Sequence, residues 1–200
     1  MTWTRRTSGT SDSLFGVAYG NGTFVAVGGG GAILTSPDGV SWTQRTSGTV
    51  ITLYDVTYVN GLFVAVGEWN TILTSPDGVT WTRRTSVTRD WLWDVTYGNG
   101  TFVAVGGSPG GNTILTSPDG VNWTKRTSVT NNYLYDVTYG NGLFVAVGQG
   151  GTILTSPDGV TWTARTSGTG YPLYYSLSGV TYGNGTFVAV GDVGAILTSP

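Results

Sequence analysis

The chain has 200 residues, a size typical of one domain, with 33 glycines, 12% aromatic and only 10% charged residues. This composition suits short strands joined by tight turns, and the net charge of −2 indicates no attraction to nucleic acid or to an anionic membrane. Cysteine and histidine are absent, which excludes disulfides, thiolate chemistry and the commonest general base and metal ligand. We expect no cofactor. With no signal peptide or transmembrane segment in this chain, the compartment stays open.

The first element along the chain is a W-T-x-R-T segment that recurs throughout it. Its tryptophans follow one another at intervals of 39, 39, 42 and 39 residues. They are Trp3, Trp42, Trp81, Trp123 and Trp162. Five radial repeats of this length predict an all-β fold. We interpret residues 1–200 as a single five-bladed β-propeller domain with repeat units of about 39–43 residues.

Turn residues divide each unit into four antiparallel strands. In the second unit the predicted strands are Leu53–Tyr58, Leu62–Gly67, Thr71–Ser75 and Trp81–Thr85. Asn60-Gly61 fits a two-residue hairpin turn, since both residues tolerate a positive φ. Pro76-Asp77-Gly78 fits the tight turn between the third and fourth strands.

The strand order predicts how the ring closes. The chain starts with a fourth strand, Trp3–Thr7, and stops after a third strand, Ala195–Ser199. We expect the N-terminal strand to pair with the C-terminal blade, which would otherwise leave an open sheet edge.

The run L-x-D-V-x-Y followed by T-I-L-T-S-P-D-G-V-T-W resembles the BNR or Asp-box repeat. That repeat occurs in sialidase-like, sortilin-type and photosystem II assembly-factor-like propellers. The resemblance covers all five units and implies a propeller, although the box here is one residue shorter than usual. Because the family includes both enzymes and binding proteins, the resemblance does not assign an activity.

The units differ from one another mainly in two connections. Between the second and third strands they read GGG, EWN, GSPGGN, QGG and DVG, and the connections between units also vary. In an up-and-down meander both connections lie at one end of the sheets, where loops commonly carry recognition. Tyrosine and tryptophan mixed with small polar residues are typical of binding surfaces. The predicted ligand-binding residues are Trp69, Arg89, Asp90, Trp91, Trp93, Asn131, Asn132, Tyr133, Tyr171, Tyr174 and Tyr175.

These residues predict a monomeric, non-catalytic, lectin-like module that binds a carbohydrate or a protein surface. Two alternatives stay open. The chain could be a ligand-free scaffold, recently amplified or engineered, or a glycoside hydrolase that uses Asp55, Asp94 and Asp136. These aspartates open the innermost strands, where they could bind a cation or accept hydrogen bonds from a neighbouring blade. A sialidase is excluded, because Arg89 is the only basic residue expected at the channel mouth.

Overall fold

The computed structural model describes residues 1–86, 88–167 and 175–199, which contain nineteen strands in five antiparallel sheets. Sheet 1 consists of β1 (Leu14–Gly20), β2 (Thr23–Gly28), β3 (Ile33–Ser36) and β4 (Thr43–Arg45). Sheet 2 consists of β5 (Leu53–Val59), β6 (Leu62–Gly67), β7 (Ile72–Ser75) and β8 (Thr82–Arg83).

The next two sheets repeat this order, and the fifth has three strands among the described residues. Sheet 3 consists of β9 (Trp91–Gly98), β10 (Thr101–Ser108), β11 (Gly111–Ser117) and β12 (Thr124–Arg126). Sheet 4 consists of β13 (Leu134–Gly140), β14 (Leu143–Gly148), β15 (Thr152–Ser156) and β16 (Thr163–Arg165). Sheet 5 consists of β17 (Leu177–Gly183), β18 (Thr186–Gly191) and β19 (Ile196–Ser199).

The turn residues act as their chemistry predicts. Asn60 and Gly61 have φ angles of 52° and 80°, the positive values that a type I′ hairpin turn requires. In the turn after β7, the Asp77 carboxylate accepts hydrogen bonds from the amides of Val79 and Thr80, each at 2.8 Å. The tight turns are therefore structural, and they set the register of each meander.

The core lies between neighbouring sheets. Between sheets 2 and 3, for example, Val64 and Ile72 of sheet 2 pack with Leu92, Phe102 and Trp123 of sheet 3. These side chains are almost completely buried. Burial of a large apolar side chain contributes about 1.5–3 kcal/mol, so stacking of the sheets is the main source of stability.

The described residues do not show the pairing of Trp3–Thr7 with the C-terminal sheet that the sequence predicts. Residues 1–13 form no strand, and the Trp3 side chain is 93% exposed instead of pairing with sheet 5. The outward faces of sheets 1 and 5 are also uncovered, with Val17 64% and Ile196 68% exposed. Closure requires contacts between the two most distant sheets of the chain, whereas the extensive contacts among the described sheets all join sequence neighbours.

None of the helical segments in the described residues has the length and apolar character needed to cross a bilayer.

Candidate ligand-binding face

The two variable connections lie together at one end of the sheets, which we call the variable end. In sheet 2 the amide of Glu68, between β6 and β7, donates to the carbonyl of Thr52, just before β5, at 3.0 Å. In sheet 4 the amide of Gln149 donates in the same way to the carbonyl of Tyr133 at 2.9 Å. The divergent segments therefore share one surface, as the meander topology predicts.

A sequence insertion makes sheet 3 different at this end. In sheets 1, 2, 4 and 5 a three-residue 3₁₀ turn joins the second and third strands. In sheet 3 the segment GSPGGN instead extends β10 and β11 into a hairpin whose last pair is Ser108 and Gly111. The extension adds a pairing between Gly107 and Trp91 on the other side of β10. Trp91 is therefore fixed within a strand and not left in a loop.

Four aromatic side chains meet beside this hairpin, at the junction of sheets 3 and 4. The Trp93 ring is in contact with the Trp91, Tyr133 and Tyr135 rings, with centroids 6.3, 5.6 and 5.1 Å away. All four side chains are partly exposed. We call them the aromatic patch. Such tilted and edge-to-face pairs each contribute about 0.5–1.5 kcal/mol beyond the area that they bury, so the rings hold one another in place.

Backbone contacts fix the Tyr133 part of the aromatic patch. A Cβ atom at Gly107 would lie 2.8 Å from Tyr133 Cδ1, so the ring packs directly on the glycine of the extended hairpin. The backbone amide of Tyr133 donates to the side-chain oxygen of Gln149 at 3.4 Å. The insertion in sheet 3 and the loop of sheet 4 thus position one ring jointly.

Trp69 lies in the neighbouring loop, between β6 and β7, and its backbone is strained. Its φ of 49° falls in the left-handed region, where the equivalent positions of sheets 1 and 4 carry Gly30 and Gly150. An L-residue in this conformation costs about 1–2 kcal/mol, and such strain is concentrated at functional sites. The Trp69 side chain is 59% exposed, so burial does not account for an indole at this position.

Asp90 is occupied by contacts within the chain. Its carboxylate accepts hydrogen bonds from the hydroxyls of Ser108 and Thr113, and the Lys125 ammonium lies 3.5 Å away. Desolvation alone would raise the pKa of Asp90, but these hydrogen bonds and the nearby positive charge leave it lowered. Asp90 therefore anchors the extended hairpin that lies beside the aromatic patch.

The other predicted site residues differ in their exposure and in their contacts within the chain. Arg89, Asn131 and Tyr175 are exposed. The side-chain amide of Asn132 donates to Thr152 Oγ1 at 2.9 Å, so this residue braces the loop. Tyr171 and Tyr174 lie outside the described residues. Sequence reasoning left Tyr135 out of the predicted site, although it stands at the position of Trp93 in the next unit and could have been found from that equivalence.

The three aspartates connect neighbouring sheets through main-chain hydrogen bonds. Oδ2 of Asp55 accepts from the Val95 amide at 3.2 Å, and Oδ2 of Asp94 accepts from the Val137 amide at 2.8 Å. Asp136 makes the same contact with the amide of Val180 in sheet 5. The prediction that these carboxylates accept hydrogen bonds from a neighbouring blade is confirmed. Within the described part of the chain, no cluster of three or more His, Cys, Asp or Glu residues is arranged to hold a metal ion.

Burial is the main influence on the pKa values of Asp94 and Asp55. Repulsion from the carboxyls of Asp55 and Asp136 disfavours the ionised form of Asp94. Burial, followed by repulsion from these two neighbours, raises the pKa of Asp94 well above its usual range. Burial also raises the pKa of Asp55. The group can therefore retain a proton under conditions in which an exposed aspartate would lose it.

A second opening lies at the same end, between sheets 1 and 2. Its volume is about 830 Å³, and its lining is formed mainly by small and polar residues together with Asp12, Arg45 and Arg83. None of the described residues that line it is aromatic. Because aromatic anchors contribute most to recognition surfaces, the aromatic patch is the stronger candidate for ligand binding.

Solved structures with the same architecture are β-propeller-like proteins. Virginiamycin B lyase from Staphylococcus aureus superimposes with a TM-score of 0.78 at 14% identity, covering 98% of this chain and 72% of the lyase. YCF48 bound to a D1 peptide gives a TM-score of 0.71 at 18% identity, covering 94% of this chain and 63% of YCF48. The nidogen/laminin complex gives a TM-score of 0.70 at 11% identity, covering 90% of this chain and 73% of the matched chain.

These similarities establish the fold and leave the function open. No family model and no curated protein matches the sequence, so the Asp-box resemblance gains no independent support. The chain spans less than two thirds of the two YCF48 structures that it matches. The prediction that the protein is not an enzyme is corrected, because a lyase is among the structures that share this fold.

Proposed function

We propose that this protein is a recognition module that binds a segment of another protein through the aromatic patch. The observation that carries the proposal is the contact of the Trp93 ring with three other partly exposed rings at one sheet junction. Large apolar rings at a surface cost free energy in water, and clustered Tyr and Trp residues are typical of binding hot spots.

The surroundings of the aromatic patch supply polar contacts for orientation. Arg89 and Asn131 are exposed in the adjoining connections, and Trp69 is held in the loop that contacts the start of β9. Arginine and asparagine beside aromatic anchors are suited to the main-chain carbonyls and amides of a bound peptide. Two of the solved neighbours are a complex with a peptide and a complex with laminin, which supports a protein ligand over a carbohydrate.

The proposal is tested by comparing two truncations within one strand. Trp93→Ala removes the central ring, whereas Tyr97→Ala removes a ring that makes an edge contact with Phe102 at the other end of β9. The protein would be screened against a displayed peptide library and a glycan array. We expect peptide ligands whose affinity falls about 30-fold in Trp93→Ala, equivalent to about 2 kcal/mol, and hardly changes in Tyr97→Ala.

Each other result of this screen contradicts some part of the proposal. Equal losses in both variants would indicate general destabilisation and no role for the aromatic patch. If only the glycan array yielded ligands, the ligand would be a carbohydrate and not a segment of another protein. The absence of any ligand would favour the ligand-free scaffold.

We also propose that sheets 1 and 5 pack against each other to close a five-bladed ring. Three of the four described junctions support this, because a glycine that ends one sheet's first strand lies against a tyrosine ring of the next sheet, as Gly98 does against Tyr139. In sheet 2 the equivalent residue is Val59. The two halves of one further contact are unpaired here: Tyr19 is 59% exposed, and nothing lies within 4 Å of a Cβ placed on Gly183. The Asp-box resemblance of the units is consistent with a closed ring.

A further inference from the structure

A cleft of about 360 Å³ lies between the loop that joins β6 to β7 and the segment formed by β8 and the residues after it. The described residues that line it combine an indole, two guanidinium groups and polar side chains: Trp69, Asn70, Arg83, Arg84, Thr85 and Ser86. They include no acidic residue and none of the four rings of the aromatic patch. The cleft is therefore a separate surface site with a positively charged wall.

Three residues that distinguish sheet 2 from the other sheets meet at this cleft. Trp69 and Asn70 stand where the equivalent loops of sheets 1 and 4 have two glycines. Arg83 faces the central leucine of β7. The other paired fourth strands carry different residues at this position, namely Gln44, Lys125 and Ala164. Three departures from the repeat thus line one cleft.

Asn70 ties the loop of Trp69 to the next connection of the chain. Its backbone amide donates to the Asp90 carbonyl at 2.8 Å, and its side-chain amide donates to the Thr88 carbonyl. The Thr88 hydroxyl donates in turn to Asn70 Oδ1 at 3.4 Å. Asparagine tolerates the left-handed conformation that Asn70 adopts, with φ 60°. These bonds hold the exposed Trp69 indole beside the cleft.

The contact of Asn70 with Thr88 also leaves a hydroxyl of the cleft lining without a partner. In sheet 1 the equivalent Ser47 Oγ donates to the Thr49 carbonyl at 3.0 Å. In sheet 2 the Asn70 amide bonds the corresponding carbonyl, and Ser86 Oγ is buried with no hydrogen-bond partner among the described residues. An unpaired buried hydroxyl is unfavourable, and rotation about χ1 can direct it to an acceptor bound in the cleft.

The two arginines bring positive charge that no carboxylate neutralises. The Arg83 side chain is exposed and makes no hydrogen bond or ion pair with any described residue. Arg84 donates from Nε to Thr74 Oγ1 at 2.7 Å, which orients its guanidinium group and leaves its terminal nitrogens available. Glu68, next to Trp69 in the sequence, accepts a hydrogen bond from the Tyr54 hydroxyl at 2.7 Å and does not line the cleft.

We propose that this cleft binds a phosphate or sulfate monoester carried on a flat ring, as in a modified tyrosine side chain. Guanidinium groups form charge-assisted, bidentate hydrogen bonds with such oxyanions. Arg83, Arg84 and the Ser86 hydroxyl together match a group with three free oxygens, whereas a carboxylate has only two. The Trp69 indole provides an apolar surface for the attached ring. The site does not depend on the function proposed for the aromatic patch.

Titration of the ¹⁵N-labelled full chain with phenyl phosphate and with phenyl sulfate, followed by NMR, tests the site. We expect Arg83→Gln to weaken binding of the tighter probe at least about tenfold, because it removes a charged bidentate contact. Glutamine is the native residue at this position in sheet 1, so the variant should keep its fold. The matched control is Lys125→Gln, which removes one positive charge at the equivalent position of sheet 3 and should change the affinity less than about twofold.

Two further comparisons test the ring and the oxyanion separately. In Trp69→Gly the affinity for phenyl phosphate should fall to that for inorganic phosphate, and the tighter of the two aryl probes identifies the monoester. Equal weakening in Arg83→Gln and Lys125→Gln, benzoate binding as tight as that of the monoesters, or no binding of either probe at about 10 mM would overturn the proposal. Loss of probe binding in Trp93→Ala would also overturn it, because the probe would then occupy the aromatic patch.

Discussion

Replacement of Gly183 by alanine distinguishes an open from a closed arrangement of the sheets by the sign of its effect on stability. At Gly20, Gly98 and Gly140 a Cβ atom would lie 2.0–2.1 Å from a tyrosine ring of the next sheet. At Gly183 nothing lies within 4 Å, and the backbone is not in the left-handed region. In an open arrangement alanine is therefore accommodated, and it lowers the conformational entropy of the unfolded chain.

The two arrangements predict different magnitudes as well as different signs. An unhindered glycine-to-alanine change in a strand stabilises by about 0.4–1 kcal/mol. In a closed ring the new methyl group meets the Tyr19 ring, and overpacking of this kind costs about 1–3 kcal/mol. For a chain of this size each kcal/mol shifts Tm by about 2–4 °C.

The assay is thermal and urea unfolding of the wild type, Gly183→Ala and Gly98→Ala. Gly98→Ala is the matched control, because its clash with Tyr139 is present whether or not the ring closes. We expect both variants to lose stability by similar amounts. A gain of stability in Gly183→Ala beside a loss in Gly98→Ala would refute the proposed packing of sheet 5 on sheet 1.

Two further predictions concern charge and backbone strain. A raised pKa of Asp94 stabilises the fold at low pH, and this contribution is lost as the pH rises through the folded-state pKa. Asp94→Asn should therefore gain stability relative to the wild type as the pH rises, in urea unfolding followed across the pH range. Asp77→Asn should show the opposite trend, because turn amides lower the pKa of Asp77. The Val193→Gly variant should be about 1 kcal/mol more stable than the wild type. Val193 has a φ of 52°, in the left-handed region, and is 77% exposed, so glycine relieves strain without loss of packing. Trp69→Gly should relieve the same strain but weaken ligand binding, and equal ligand affinity in both glycine variants would remove Trp69 from the proposed site.

Local sequence chemistry predicted the individual meander well. The strand Leu62–Gly67 has the predicted bounds, because the Asn60-Gly61 turn and the glycine at its end define it completely. The fourth strand is shorter than expected, Thr82–Arg83 where Trp81–Thr85 was predicted. At its start the Trp81 indole turns back to donate to the Gly78 carbonyl at 2.9 Å, so this residue belongs to the turn.

Contacts between distant residues account for what the sequence did not predict. Asp90 has the polar character of a ligand-binding residue, but its hydrogen-bond partners Ser108 and Thr113 lie 18 and 23 positions away, within and directly after an insertion found only in sheet 3. The proposed closure likewise depends on Tyr19 and Gly183, which lie near opposite ends of the chain. Repeat periodicity predicts which residues are equivalent, but it does not predict which equivalent contacts are formed at the ends.

The position of the aromatic patch separates ligand binding from ring closure. The Trp93 ring and its neighbours lie at the junction of sheets 3 and 4, where the core is filled and Asp94 bonds the Val137 amide across the two sheets. The proposed closure involves sheets 1 and 5. A ligand bound at the aromatic patch therefore contacts a junction that the proposed closure does not involve. A change at Gly183 should alter stability while leaving ligand affinity intact, because the aromatic patch does not include the contacts of the proposed closure.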